Sequence, residues 1–550
     1  MSSDSEDIRQ ADARTTEHTP LLADNSCPEP PRTAQSPNVE ELSSARLAIV
    51  FSSIWIIVVL TALDSTIVAT LSATISTSFA SFNSLSWLGT AYLVATAATQ
   101  PLAGRFSDVY GRRSGLVISG LAFGTGTFLC GIASQEWVFI LGRVVAGAGG
   151  GATNAISTFV GADLVPLRKR GVIQGVNNIA MGCGTGLGGF LGGLLNQLVG
   201  WKAAFLIQIP LVILGLVLCS TVRDIPSKPA QKPSTQHKID YLGCFLLVAF
   251  IVLLLVGLNS GGNQVPWGHP LVWSTISASA VLLAIFIYVE LRVAKMPVIP
   301  IHLMIIRTVW SGCFTYFFAH LSAFGTMYYI PIYLQLRGSN PTQAGLRFVT
   351  QSVGTAVGAY GSGLLIKATA NYVYLSALSH AFLIVAATLS TTLSQGTPSW
   401  CPFLYLGMLG LGFGGVLVTT MLALISSVNH SEHAVVTSAS FAFRAIGSST
   451  GITMASAVFQ NVLRRSLRLN LGKERENADE LIDLVRRNFD ALWDLDPEIR
   501  QIMENGYMEA LRYVFFTMLM MSVLSALCSS LMKQNKLYND LARREQETGE

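Results

Sequence analysis

Apolar residues gather into stretches of about 20 positions almost free of charge, and short polar segments between them hold most of the lysines and arginines. A helix of about 20 apolar residues spans ~30 Å of hydrocarbon. Inside lipid, only a helix or a closed barrel satisfies every backbone polar group. The pattern predicts fourteen helical spans, at roughly 47–72, 86–104, 115–133, 137–163, 171–198, 201–222, 240–260, 270–291, 308–335, 342–366, 372–393, 401–427, 435–460 and 511–532. The fold class read from this is an all-α polytopic membrane protein. Residues 1–45 break the pattern: nine acids, three arginines and scattered prolines and serines predict a disordered acidic tail. Residues 461–510 form a long polar segment in which Leu481, Ile482, Leu484, Val485, Phe489 and Leu492 predict an amphipathic helix lying on a membrane surface. Residues 533–550 form a second polar tail.

An even number of spans puts both termini on one side. Basic residues cluster after every second span: Arg105, Arg112 and Arg113, then Arg168, Lys169 and Arg170, then Arg223, Lys228, Lys232 and Lys238, then Arg292, Lys295 and Arg307. The opposite loops at 73–85, 134–136 and 261–269 contain no lysine or arginine. Short cytosolic loops carry the positive charge in membrane proteins, so the termini are expected in the cytosol and 461–510 in the lumen. Composition agrees: 51% of residues are hydrophobic, 12% are charged, and mean hydropathy is +0.49. The net charge of +4 follows from these loops and gives no reason to expect nucleic acid as a partner. The polar first 45 residues give no sign of a secretory signal peptide. Eight cysteines, seven in apolar stretches, show neither a pairing framework nor metal-ligand spacing. No phosphate-binding Gly-x-x-x-x-Gly-Lys loop and no nucleophile–base set stands in the chain, which argues against an ATP-driven pump and against an enzyme. No cofactor or metal is expected, and a monomer is.

Between spans 2 and 3 runs GRFSDVYGRRS, with turn glycines Gly104 and Gly111, the acid Asp108, and Arg105, Arg112 and Arg113. The arginines anchor a cytosolic loop, and Asp108 can pair with arginine or helix-end charge. This pattern resembles the loop between helices 2 and 3 of major facilitator superfamily transporters. Val109, where a basic residue is common, fits the 14-helix branch. The resemblance implies a major facilitator fold with 14 transmembrane helices. It places two six-helix bundles at 46–222 and at 301–460 with 511–532, and a linker with two extra central helices at 223–300. In that frame Arg112 and Arg113 are expected to hold a cytosolic gate against acids or carbonyl ends of neighbouring helices.

Two charges lie at membrane depth. Asp64 stands in LDSTIVATLSATI of span 1, one turn after Thr61 on the same face. An ionisable group there costs a few kcal/mol and faces a wet cavity or a partner. It either exchanges a proton for a cationic solute or stays locked in a salt bridge. Arg143 lies in span 4, and Asn154, eleven residues later, shares its face. These segments resemble the first- and fourth-helix motifs of 14-helix drug:proton antiporters, which implies a role for Asp64, Arg143 and Asn154 in proton coupling. Ala146 replaces a glutamine common there. If Asp64 and Arg143 pair, protonating Asp64 releases the arginine. Asp163 is the next candidate for the coupling.

Span 5 repeats glycine every four residues, so two faces are nearly free of side chains. Such faces let helices approach closely. Gly175, Gly184, Gly188, Gly192 and Gly193 resemble the antiporter motif of helix 5, although its usual proline is replaced by Gly189 and Phe190. A packing seam explains the same glycines. Span 6 opens WKAAFLIQIP, in which Pro210 predicts a kink. Its Gln208, with GLRFVTQSVGTAVGAYGSGLLI in span 10 and FAFRAIGSSTG in span 13, resembles fungal vacuolar basic amino acid transporters. Asn178, Gln208 and Tyr328 are candidates to line the substrate path. The other aromatics of span 9 and His320 are expected to be core. The only glycosylation sequon starts at Asn429. In the first tail, Glu17, Leu21 and Leu22 resemble an acidic dileucine signal read by sorting adaptors. Together these features point to a proton-coupled antiporter of lysine, arginine and histidine in the vacuolar membrane. The alternatives are a plasma-membrane exporter of drugs, toxins or siderophores, and a transceptor without net flux.

Overall fold

The computed structural model describes residues 44–79, 85–165, 167–221, 240–261, 265, 267–294, 301–339, 341–428, 432–471 and 496–535. Helices occupy nearly all of them. In chain order they are α1 (Ser44–Ser78), α2 (Leu85–Tyr110), α3 (Arg112–Ile132), α4 (Glu136–Leu164), α5 (Leu167–Leu198), α6 (Trp201–Leu206), α7 (Gln208–Thr221), α8 (Tyr241–Ser260) and α9 (Pro270–Arg292). The second half continues with α10 (Ile301–Met304), α11 (Arg307–Leu336), α12 (Pro341–Thr369), α13 (Tyr372–Thr391), α14 (Cys401–Ser426), α15 (His433–Leu471) and α16 (Pro497–Ser530). Each apolar stretch of the sequence falls on one of these helices, with span 6 shared by α6 and α7. Among the described residues, eight helices are long and apolar enough by themselves to cross a membrane. The count of fourteen crossings therefore still rests on the sequence pattern. Helices such as α2, α4 and α15 carry many small and polar residues, and they turn those faces to other helices.

Helix ends follow local chemistry. Gly111, at φ 89°, makes the turn from α2 into α3 in a backbone conformation that a side chain resists. Span 6 breaks at Ile207. Pro210 explains the break: it has no N–H for the carbonyl of Leu206, and its ring crowds that carbonyl. The segment 461–510, expected as one long loop, is helical at both ends. α15 runs on to Leu471, and α16 begins at Pro497. The reason is packing: Leu463, Leu467, Met503 and Tyr507 form one buried cluster. A Cβ on Gly506 would lie only 2.8 Å from Leu467. The amphipathic pattern at 481–492, the sequon at Asn429, the acidic tail and its Glu17–Leu22 signal lie outside the described residues.

The two glycine rows of α5 face different neighbours. Gly184 and Gly188 abut α1, where a Cβ would come within 2.8 Å of Ala62 and 2.5 Å of the Leu63 carbonyl. Gly175, Gly182 and Gly186 abut α12, with Tyr360 or Ser352 at 3.2 Å from the same hypothetical atom. Thus α5 joins the first half of the chain to the second, and α2 meets α15 in the same way through Val94, Ala97, Ala445 and Ile446. On α7 and α9 large apolar residues such as Val217, Trp273 and Tyr288 stay exposed. Such exposed apolar faces suit a lipid surround.

Candidate functional site

Asp64 on α1 and Arg143 on α4 form a direct ion pair through Oδ2 and Nη1. Neither is open to solvent, with 0% of Asp64 and 1% of Arg143 exposed. Arg143 Nε also donates to the Leu88 carbonyl at 3.2 Å. Its guanidinium carbon stands 4.3 Å from the centre of the Tyr92 ring, and Tyr92 Oη donates to the Thr61 carbonyl at 3.1 Å. The pair is compensated on one side only. Asp64 Oδ1 and Gln208 Oε1 are buried acceptors with no hydrogen-bond partner. The Gln208 amide lies against the Asp64 carboxylate, while its Nε2 donates to the Ala204 carbonyl at 3.0 Å. A lone carboxylate oxygen next to a lone amide oxygen makes a place for a donor, either a proton or an ammonium group.

Glycines in α4 make this meeting possible. A Cβ at Gly147 would lie 2.9 Å from Tyr92 Cα, and one at Gly149 would lie 2.5 Å from the Ser119 carbonyl. α4 therefore settles against the backbones of α2 and α3, close enough for Thr96 and Thr99 to donate to its carbonyls at 3.0 and 3.1 Å. That close approach brings Arg143 within reach of α1. Asn154 does not join the pair, because eleven residues of helix set it ~16 Å further along the axis.

A second ion pair closes the ends of α3 and α4. Arg112 Nε donates to Asp163 Oδ2 at 2.9 Å, and Nη1 donates to Ser107 Oγ. Phe159 covers the guanidinium at 5.4 Å. Arg113 Nη2 donates to the Ser220 carbonyl, at the C-terminal end of α7, at 2.7 Å. Their partners are thus an acid and a helix-end carbonyl. Asp163 is engaged here and stays apart from Asp64. The backbones of Arg105 and Asp108 lie in the last turns of α2.

The Major Facilitator Superfamily model matches residues 54–452. The chain belongs to this superfamily. It is 35% identical over 509 residues to the "Multidrug resistance protein fnx1" of Schizosaccharomyces pombe, covering 92% of this chain and 96% of that protein. It is 31% identical over 509 residues to the "Vacuolar membrane amino acid uptake transporter fnx2" of the same yeast, covering 92% and 88%. It is 27% identical over 464 residues to "Vacuolar basic amino acid transporter 2" of Saccharomyces cerevisiae, covering 82% and 97%. The human organic anion transporter MFSD10 shares the fold at a TM-score of 0.60 and 14% identity, covering 88% of this chain and 99% of that one. As a member of the superfamily, this protein is a membrane transporter of small solutes and not an enzyme.

In this facilitator fold the second half adds fewer charges. Tyr328 on α11 lies within electrostatic range of Arg143. Asn178 is buried on α5 with Nδ2 unpartnered. Gly192 meets α1 more loosely than its neighbours, with Ile67 at 3.4 Å, and Gly193 is buried. His320 is a core residue: Nδ1 sits 2.9 Å from the Tyr316 carbonyl, and the ring packs on Phe324 and Phe413. Sequence reasoning missed Tyr92 and Leu88 as partners of Arg143.

Proposed function

We propose that this transporter exchanges protons for basic amino acids across the vacuolar membrane, with both termini in the cytosol and Asp64 as the exchanging carboxylate. The unpartnered Asp64 Oδ1 beside Gln208 Oε1 carries the reading. When Asp64 is ionised it holds Arg143. A proton on Asp64 weakens that hold, and an ammonium group arriving at the free oxygen displaces the proton. Solute and proton thus compete for one carboxylate, which is the logic of antiport. Arg112 with Asp163, and Arg113 with the end of α7, then serve as the cytosolic latch that must open once per cycle. The α5 glycines let α1 and α12 shift against a helix with little side chain in the way. Support for amino acids comes from the two vacuolar relatives named above. Energy comes from an acidic lumen: each pH unit is worth about 1.4 kcal/mol per proton, and 100 mV adds about 2.3 kcal/mol per charge. The Glu17–Leu21–Leu22 signal is the proposed contact for a sorting adaptor.

The 35% identity to a multidrug resistance protein favours a second reading, export of cationic drugs through the same carboxylate. Purified protein in vesicles with an acidic interior separates the two. Labelled lysine, arginine or histidine is expected to accumulate only while the pH gradient lasts. Accumulation of a cationic dye with no amino-acid uptake would replace the first reading with the second.

A further inference from the structure

The two halves meet along a short stretch of α15. Ala445 and Ile446 pack beside Val94 and Ala97 of α2. Phe441, one turn earlier, belongs to a buried cluster whose other members among the described residues, such as Val50, Ala103, Ile156 and Phe159, all come from the first half. Only 5% of Phe441 is exposed. This cluster lies at the end of the bundle where Arg112 meets Asp163. Val50 and Ile156 stand ~20 Å along α1 and α4 from Asp64 and Arg143, and Asp163 follows Ile156 by about two turns. Towards the opposite end the clusters do not mix. Among the described residues, Ile75, Phe139 and Trp201 gather with first-half residues, and Leu334, Leu406 and Leu463 with second-half ones.

The arginine latch cannot hold the halves together, because Arg112 and Arg113 bond helices of the first half to one another. At this end the contact between halves falls to α15, which packs on α2 and α4. The Phe441 ring is braced from its own half. The Arg444 guanidinium carbon is 5.0 Å from the centre of that ring and 3.8 Å from the centre of the Tyr316 ring. α15 is also pressed onto α11: a Cβ on Gly447 would lie 3.0 Å from Phe317 Cα, and one on Gly451 would lie 2.8 Å from Leu321 Cα. The ring therefore moves with the second half. We propose that Phe441 is an apolar gate: seated against α2 and α4, it seals the solute path at the latch end, and the halves must part and withdraw it for the path to open there. An aromatic ring in an apolar pocket excludes water over a large area and brings no charge that needs a partner. The inference rests on the transporter reading above and not on which solute is carried.

The test uses the full chain carrying Ala103→Cys, in the same cluster as the ring, with the native Cys130, buried in the opposite-end cluster, as the control. In nanodiscs, the rate of maleimide labelling at each thiol is read by peptide mass spectrometry. In liposomes holding a pH dye, proton leak is read with no amino acid present. Phe441→Ala is expected to speed labelling at position 103 by about tenfold or more, given the cost of truncating a buried phenylalanine. It is also expected to raise the proton leak several-fold, with Cys130 as slow as before. Phe441→Leu keeps an apolar plug and is expected to stay within about threefold of the unsubstituted ring in both readings. Unchanged labelling at position 103 in Phe441→Ala would overturn the proposal. Faster labelling without a leak would make the ring a cover over Ala103 and would also overturn it. Faster labelling of Cys130 in step with position 103 would mean a loosened fold, and Phe441 would then be structural. Neither reading needs a solute, so failure of the basic amino-acid reading shows separately, as absent uptake into vesicles with an acidic interior.

Discussion

Replacing Asp64 tests stability as well as transport, because both members of its ion pair are sealed in the protein. Removing one partner of a buried pair costs about 3–5 kcal/mol, since the other charge is left uncompensated. Asp64→Ala is expected in that range. Asp64→Asn keeps an oxygen facing Arg143 Nη1, and Arg143 retains the Leu88 carbonyl at 3.2 Å and the Tyr92 ring at 4.3 Å. A desolvated ring contact is worth about 2 kcal/mol, so the Asn variant is expected to lose only ~1–3 kcal/mol. The double variant Asp64→Asn with Arg143→Gln removes both charges and is expected to recover most of that loss. The assay is reversible denaturant unfolding in micelles, followed by tryptophan fluorescence, across all four members of the cycle. Stability of Asp64→Ala within roughly 0.5 kcal/mol of the unsubstituted protein, the range of an ordinary surface change, would refute a buried pair.

Arg112→Ala and Asp163→Asn are each expected to slow uptake several-fold, and the double variant no further, because they share one contact; additive losses in vesicle uptake would separate their roles. Arg112→Ala with Arg113→Ala is expected to cut transport while the protein stays in the membrane, and full activity would reduce the motif to a topology signal. Gly188→Leu is expected to abolish folded protein, since the Leu63 carbonyl lies 2.5 Å from the new Cβ, whereas Gly192→Ala, with 3.4 Å to Ile67, is expected to fold; monodisperse elution of both variants would contradict the close α1–α5 contact. A fluorescent fusion is expected on the vacuolar rim and elsewhere after Leu21→Ala with Leu22→Ala; plasma-membrane labelling of the unsubstituted protein would end the vacuolar reading.

The helices were legible in the sequence because a membrane fixes their length and demands unbroken apolar runs. The kink in span 6 was legible because Pro210 has one local effect. Asp64 and Arg143 stood out because charge is rare in such runs, but their pairing was not written in either segment. It depends on how closely α4 settles on α2 and α3, a tertiary distance set by Gly147 and Gly149. The same holds for Gln208, a subgroup marker and a candidate for the substrate path in the sequence, whose place against Asp64 is a contact between α7 and α1. The helical extensions into 461–510 were hidden for another reason. Arg464, Arg465, Arg468 and Glu504 interrupt the apolar pattern there, while Leu463, Leu467, Met503 and Tyr507 still pack on one face.

Competition between proton and solute for Asp64 is the claim on which the account stands. Its most direct test is proton release. Lysine is added to purified protein in weakly buffered medium at the acidic pH of a vacuolar lumen, and pH is followed with an indicator dye. The account predicts a saturable release of protons that disappears in Asp64→Asn. No release from the unsubstituted protein, or the same release from Asp64→Asn, would contradict it.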